Sequence, residues 1–434
     1  MKNNKKKPDG GRFKILIDNS GYQLKNYGDL AMLEVACSRF QYEFPNAEIL
    51  VFTNAVEKLK EFIPYATPIS LSGRRQWEQT WNVFGGLHKL IPSPLHAWLE
   101  RQEKRFKFTF PHFSFHWIKW RFNKKGLDLS PMREFLNVVD NSDVVIASGG
   151  GFVTDPFENH ACRVLQTLAL AQSMGKPTAM FGQGLGPVSS EKLFSWSKMV
   201  LPKLNYLTLR EGVYSKPFAL ASGVTADKVG VTGDDAITLA YSNAPDELGD
   251  AIGINLRVAS YSGLHGDALA NIKNILQNAV IKLGTELRGI PISIHDADSD
   301  LKSLRTLLED KAIDEAATLD SSMKVIEQAA LCRIVITGSY HAGVFALSQG
   351  VSVIGVAASD YYRYKFEGLA NQFGVGCQIV DRDSPEFGAD LEAAIYKGWE
   401  GADTVRPILL EKAQEQINLS NAAYGLFMAS IDEV

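Results

Sequence analysis

A chain of 434 residues, 45% apolar and 22% charged, has the length for two or three domains and the composition for sizeable cores. Its net charge of −4 excludes a global field that would gather nucleic acid, so any basic surface has to be local. Four widely spaced cysteines, Cys37, Cys162, Cys332 and Cys377, show no C-x-x-C spacing. They argue against a zinc or redox site and for free thiols in a reducing compartment.

The basic start, Met1-Lys2-Asn3-Asn4-Lys5-Lys6-Lys7, is followed by no apolar stretch of signal-peptide length. Nowhere do about 18 apolar residues run together, so the expectation is a cytoplasmic protein without a membrane span. From there on, short strand-type runs alternate with helical periodicity, the rhythm of an α/β protein with parallel sheets. Strands are expected at Phe13–Asp18, Glu48–Thr53, Asp143–Ser148, Pro177–Gly182, Tyr206–Arg210 and Lys228–Thr232. Helices are expected at Asp29–Phe44, Pro156–Met174, Ser190–Leu204 and Gly212–Ser222. A polar segment from Tyr241 to Asp250 reads as a linker. The rhythm restarts with strands at Ala251–Arg257, Ile292–His295, Ile334–Thr337, Val351–Val356 and Gln378–Val380. Between them, helices are expected at Asp267–Leu283, Ser322–Leu331, His341–Gln349 and Tyr361–Phe373, with a last helix from about Arg406 to Met428. The domain organisation this suggests is a Rossmann-like unit over 12–240, a second over 251–400, and a C-terminal helix within 401–434 that crosses back to the first.

An apparent insertion at about 74–128 departs from that rhythm. Trp77, Trp81, Trp98, Trp117 and Trp120 are interleaved there with Phe106, Phe108, Phe110, Phe113, Phe115 and Phe122. Basic residues, from Arg74 and Arg75 through Lys107 to Lys124 and Lys125, outnumber acids. Such a segment suits a membrane surface or stacking on sugars, or forms a small lobe with its own aromatic core. No recognised nucleic-acid module surrounds it.

In open α/β sheets ligands bind beyond the carboxyl ends of the strands. After the first strand come Asn26, Gly28 and Asp29, where Asp29 caps a helix or faces a ligand. Gly149-Gly150-Gly151 follows the third, either admitting a ligand to the backbone or making a positive-φ turn. Gly182-Gln183-Gly184 opens a tight loop too compressed for a dinucleotide fingerprint. Arg210 and Arg257 end strands in the two halves, placed for an anion, or for a surface pair such as Arg210 with Glu211. His295 to Asp300 offers acids for a divalent ion or, by preference, a cap at Asp298 or Ser299. The strongest local signal is Thr337-Gly338-Ser339-Tyr340-His341: Ser339 as N-cap and His341 in a first turn whose free amides favour anions. A bound anion there favours the protonated imidazole and a general acid; the other reading is a histidine packed at the domain interface.

Taken in order, these pieces resemble the polysaccharide pyruvyl transferase family. Asn26-Tyr27-Gly28-Asp29-Leu30-Ala31 is similar to its N-x-G-D-x-A segment, Gly149-Gly150-Gly151 to its glycine triplet, and Gly182 to Pro187 to its G-Q-G-x-G-P segment. Leu209-Arg210-Glu211, Asp234-Asp235 and Ser339-Tyr340-His341, followed by Val344 to Leu347 and Val351 to Ile354, complete the set across roughly 13–375. The resemblance implies two Rossmann-like domains facing a cleft, as in GT-B glycosyltransferases. It implies transfer of the enolpyruvyl unit of phosphoenolpyruvate, a co-substrate rather than a cofactor, to a sugar of a cell-surface polysaccharide or its lipid-linked precursor, closing a pyruvate ketal. His341 is the implied acid and Arg210, with Arg257, the implied donor grip; no metal is implied. The family's R-x-H arginine is Ser339 here, as in a branch with S-F/Y-H, and Arg363 is the candidate replacement. A nucleotide-sugar glycosyltransferase and a non-catalytic saccharide-binding relative are the competing expectations, and the oligomeric state is not legible.

Overall fold

The computed structural model describes residues 12–80, 93–122, 127–256, 266–295 and 299–432. Arg257 and the acidic run at 296–298 lie outside them. The first half builds strands β1 (Lys14–Asp18), β2 (Glu48–Phe52), β3 (Ala66–Ile69), β4 (Val144–Ala147), β5 (Gly150–Val153), β6 (Thr178–Leu185), β7 (Tyr206–Leu209) and β8 (Val229–Val231). All pair in parallel in the order β3-β2-β1-β4-β6-β7-β8, with β5 against the carboxyl half of β6. The second half builds β9 (Ala251–Asn255), β10 (Leu287–Gly289), β11 (Cys332–Thr337), β12 (Ser352–Ala357) and β13 (Cys377–Asp381), parallel in the order β10-β9-β11-β12-β13. This is an α/β protein of two Rossmann-like domains.

Helices of the first half are α1 (Tyr27–Glu43), α2 (Val56–Phe62), α3 (Ser72–Gln79), α4 (Ser93–Thr109), α5 (Pro111–Phe122), α6 (Ser130–Asn141), α7 (Glu158–Ser173), α8 (Glu191–Val200), α9 (Ser215–Ala221) and α10 (Ala236–Tyr241). Those of the second are α11 (Gly266–Leu283), α12 (Asp300–Leu307), α13 (Asp310–Ala317), α14 (Ser322–Ala330), α15 (Tyr340–Ser348), α16 (Asp360–Phe373) and α17 (Phe387–Asp432).

Helices cover both faces of each sheet, which is why the strands read as continuous apolar runs. The two-residue period of a strand divides them between cores. Ile15 and Ile17 of β1 face a core shared by both halves, while Leu16 faces an outer one; Val335 of β11 faces the shared core, while Ile334 and Ile336 face the core of the second sheet. The shared core takes Leu30 and Phe40 from α1, Ala236 from α10, Ile326 from α14, Phe345 from α15 and Phe427 from α17. Burial of this common apolar surface, at about 25 cal/mol per Å2, holds the halves together.

Helix α17 is longer than the sequence suggests: it starts at Phe387, runs 46 residues through Pro407, and spans about 69 Å at 1.5 Å per residue. Its last turns do reach the first sheet, where Tyr424 stacks on Phe181 with centroids 3.8 Å apart. Two strands went unexpected, β3 and β5, and one expectation fails. Ile292 to His295 does not join the sheet; β10, a few residues earlier, pairs with β9 instead. Ser293 makes a lone antiparallel bridge to Asn26.

The described part of the 74–128 segment is mostly helical and partly core. Trp77, Phe108, Phe115 and Ile118 are buried in the outer core. Arg74 is not surface charge: its guanidinium donates to Asp18 Oδ2 at 2.8 Å and lies over the rings of Tyr22 and Phe52. Lys107 is buried too, donating to the carbonyls of Trp77 and Thr80, and burial pushes its ammonium down to about 7. Among the described residues no helix is long and apolar enough to cross a membrane.

Candidate functional site

The carboxyl ends of both sheets converge on a cleft of about 120 Å3. Its walls include Asn26, Asp29, Gly151, His160 and Arg210 from the first half and Ser339, Tyr340, His341, Tyr361 and Lys365 from the second.

Arg210 follows the last residue of β7. Its backbone N–H donates to the Gln183 carbonyl, and its own carbonyl accepts from Gln372. The guanidinium lies 3.9 Å from the centre of the Tyr340 ring. Among the described residues it has no carboxylate within ion-pair distance, although it is 5% exposed. The expected alternative, a surface pair with Glu211, does not form. Glu211 is spent on the start of α9, accepting from Tyr214 N at 2.9 Å and from Ser215. A buried guanidinium so placed favours an anion beside it.

Glycines make room for it. A Cβ on Gly151 would come within 2.4 Å of the Arg210 guanidinium, and one on Gly184 within 2.5 Å. The triplet is therefore a matter of space rather than of a positive-φ turn: Gly150 and Gly151 open strand β5, and Gly149 packs on Met32. Likewise Gly182-Gln183-Gly184 is not a loop but part of β6. Gln183 does not reach the cleft; it is buried and its amide donates to the carbonyls of Ser148 and Phe181.

His341 is the second residue of α15 and faces the start of α1. A Cβ on Gly28 would lie 2.0 Å from His341 Cγ, so only glycine lets the two helix starts meet. His341 lines the cleft and also packs between the halves. Asn26, not Asp29, caps α1: its Oδ1 accepts from Gly28 N and Asp29 N at 3.0 and 3.1 Å, which leaves Asp29 lining the cleft. Ser339 holds the N-cap position of α15 without a side-chain capping bond; Thr337 Oγ1 accepts from Ser339 N at 2.8 Å instead. Ser299 at the start of α12 makes no capping bond either.

Asp234, which the motif reading quoted without placing it in the site, sits behind His341. Its Oδ2 is 3.8 Å from His341 Nε2 and has no hydrogen-bond partner, while Oδ1 accepts from Ala236 N at 2.9 Å. Burial pushes its carboxyl up to about 7, against the lowering pull of Arg210. Position was the available signal: Gly233-Asp234 follows the carboxyl end of β8, where ligand-facing residues gather. Its neighbour Asp235 points away, accepting from Arg39, Ser420 and Tyr424, each at 2.8 Å.

Arg363 is not in the cleft. It pairs with Asp381 and lies near Asp360. Two residues on, Lys365 lines the cleft, with its ammonium 3.9 Å from the centre of the Tyr361 ring. His160 was also missed. Its Nε2 is 3.1 Å from the Asn19 carbonyl, and burial pushes its imidazole down to about 4, so it stays neutral. Among the described residues no cluster of three metal-ligating side chains occurs.

Solved structures share this architecture. A putative UDP-N-acetylglucosamine 2-epimerase from Listeria monocytogenes superposes with a TM-score of 0.56 at 11% identity, covering 98% of both chains. Anabaena Alr3699/HepE, solved with UDP and glucose, gives 0.51 at 12% identity over 96% of this chain and all of that one. At such identities the likeness concerns the fold alone, which is GT-B-like. The amylovoran biosynthesis protein AmsJ of Erwinia amylovora is 29% identical over 123 residues, 27% of this chain and 27% of its own length. Residues 26–360, from the Asn26 cap to the start of α16, match the family described as polysaccharide pyruvyl transferase, and the chain belongs to that family.

Proposed function

We propose that this protein transfers the enolpyruvyl group of phosphoenolpyruvate to a sugar of a cell-surface polysaccharide or its lipid-linked precursor, forming a cyclic pyruvate ketal. The observation that carries this reading is the buried Arg210 guanidinium, with no carboxylate within ion-pair distance among the described residues, in the same cleft as His341. The donor's carboxylate and phosphate are the anions such a cation takes, and Lys365 supplies a second charge where the family's arginine is Ser339.

The chemistry follows from the placement. With the donor seated, its negative charge favours the protonated imidazole of His341, which gives its proton to the methylene carbon of the donor. That carbon becomes a methyl group and C2 becomes oxocarbenium-like. A sugar hydroxyl adds to C2 and its proton returns to the imidazole. The C2–O bond to phosphate breaks and phosphate leaves; a second hydroxyl then adds to C2, giving its proton to the departing phosphate, and closes the ketal. Arg210 and Lys365 stabilise the charge as it moves onto the departing phosphate. Asp234, whose carboxyl burial raises to about 7, stands 3.8 Å from Nε2 and orients the imidazole from behind.

A thermal-shift titration with phosphoenolpyruvate, UDP and GDP on wild type and Arg210→Ala tests the reading. A ligand that binds only the folded state raises Tm. The expected result is a rise with phosphoenolpyruvate that the variant loses. A rise with a nucleotide alone would instead favour glycosyl transfer from a nucleotide sugar, and no response in either, with saccharide binding intact, a non-catalytic relative.

A further inference from the structure

We propose that the outward face of α5 docks this protein on an anionic membrane surface. Helix α5 has two apolar faces and the fold uses one. Pro111, Ser114, Phe115 and Ile118 are buried, whereas Phe113, Trp117 and Trp120 point outward, 58%, 40% and 71% exposed. Their i, i+4, i+7 spacing puts the three rings on one side of the helix.

The rings also form a continuous patch. Phe113 stacks on Trp117 with centroids 6.4 Å apart, and Trp117 lies 5.3 Å from Trp120. Phe106, at the end of α4, extends the patch, 6.0 Å from Phe113 and 5.1 Å from the exposed Phe110. A cluster of exposed tryptophan and phenylalanine on a water-facing helix exposes apolar area that a folded chain otherwise buries, and it marks a binding surface.

Charge selects the occupant. Helix α5 contains Lys119 and Arg121 and no acid, and Arg105 is exposed on the neighbouring α4. Glu103 of α4 is buried, and Asp140 lies 3.9 Å from His112 of α5. Tryptophan beside lysine and arginine suits the headgroup region of an anionic leaflet, where the indole sits at the interface and the cations meet lipid phosphate. A second copy of this chain suits it less, because pairing the face with itself brings Lys119 and Arg121 against their own counterparts. The patch belongs to the segment that leaves the carboxyl end of β3 through α3, whose Arg74 is bonded to Asp18 at the carboxyl end of β1.

The test uses the full chain and vesicles, and needs no turnover, so it stands apart from the donor chemistry. Sedimentation with phosphatidylcholine vesicles, with and without about a third phosphatidylglycerol, should show binding to the anionic ones that weakens with added salt. Trp117→Ala with Trp120→Ala should lower the affinity at least about tenfold, and Lys119→Ala or Arg121→Ala about fivefold each. Melting temperatures of the tryptophan and Lys119 variants should stay at the wild-type value, because those side chains are exposed. Should the tryptophan variant not fold, brominated lipid must still quench wild-type tryptophan emission. Absence of anionic-vesicle binding, equal binding by all variants, or no quenching by brominated lipid would overturn the proposal. So would a concentration-dependent dimer, abolished by the tryptophan change, in a protein that ignores vesicles.

Discussion

Replacing Asp234 with asparagine should make the protein more stable and less active, with a pH dependence of definite sign. The Asp234 carboxyl is buried, and its environment raises it from an ordinary 3.8 to about 7. The folded state therefore keeps this proton until about pH 7, whereas the unfolded chain releases it near pH 4. Between those values the unfolded state binds fewer protons, so the wild type loses stability as pH rises and the loss is complete above pH 7. At 1.36 kcal/mol per pH unit the full contribution is about 4 kcal/mol, an upper figure because Arg210 relaxes with the carboxylate. The Asp234→Asn variant would escape the loss. Its amide oxygen can take the place of Oδ1 and still accept from Ala236 N, and its amide nitrogen stands where Oδ2 lay, 3.8 Å from His341. The groups facing this position are Arg210, Asp235, Asp29 and His341. Urea unfolding of both proteins from pH 4 to pH 8 should give curves that coincide at the acid end and separate towards pH 8, with the variant on top. A variant less stable than wild type at pH 8, or a gap that does not change with pH, would refute the reasoning. Its turnover should fall because the imidazole loses its positioning partner, the exchange of stability for activity common at active sites.

Gly28→Ala forces His341 or the start of α1 to move from a 2.0 Å approach to an ordinary 3.4 Å contact. Displacement of this size should cost about 100-fold in activity and about 1–3 kcal/mol in stability, read by phosphate release and by denaturant midpoint. Gly425→Ala, in α17 with nothing within 4 Å of its would-be Cβ, should instead leave activity unchanged and stabilise by up to about 1 kcal/mol. Lys365→Met should remove most of the Tm response to phosphoenolpyruvate, while Arg363→Gln, which loses its pairings with Asp381 and Asp360, should keep it. Asp18→Asn leaves the buried Arg74 with only Glu78 as an acidic partner, and should cost about 3 kcal/mol in urea unfolding at neutral pH.

Regular periodicity made most of the fold legible, and where it failed a local cause is visible. Strand β3 reads Ala-Thr-Pro-Ile, too short and too broken by Pro68 to stand out, and it lies at the sheet edge, where proline is tolerated. Strand β5 begins with two glycines that read as a turn. Ile292-Ser293-Ile294 alternates like a strand, but its partners are Lys25 and Asn26 of the other half, a contact no local pattern encodes. In the cleft, the rule that ligands gather at strand ends identified Arg210, Asp29 and His341. It did not find Lys365 and put Arg363 forward instead; the two lie about 200° apart around a helix, so that only one can face the cleft. Nor could it show that Arg74, amid a run of surface-type charge, neutralises an aspartate 56 residues upstream.

The chain crosses between the two sheets at 242–250 and again through α17. The far end of that helix is fastened by Asp235, which holds Tyr424 and Ser420 of α17 together with Arg39 of α1. So α17 is a strut with its ends on different bodies, and widening the cleft has to load it along its length. Its weakest section is the turn before Pro407, where the missing N–H leaves the Asp403 carbonyl without its intrahelical donor. The anchor and the cleft are one peptide bond apart. Asp234 stands behind His341 and Asp235 grips the strut, so the residue at the cleft and the residue that anchors the helix are held in one fixed relation.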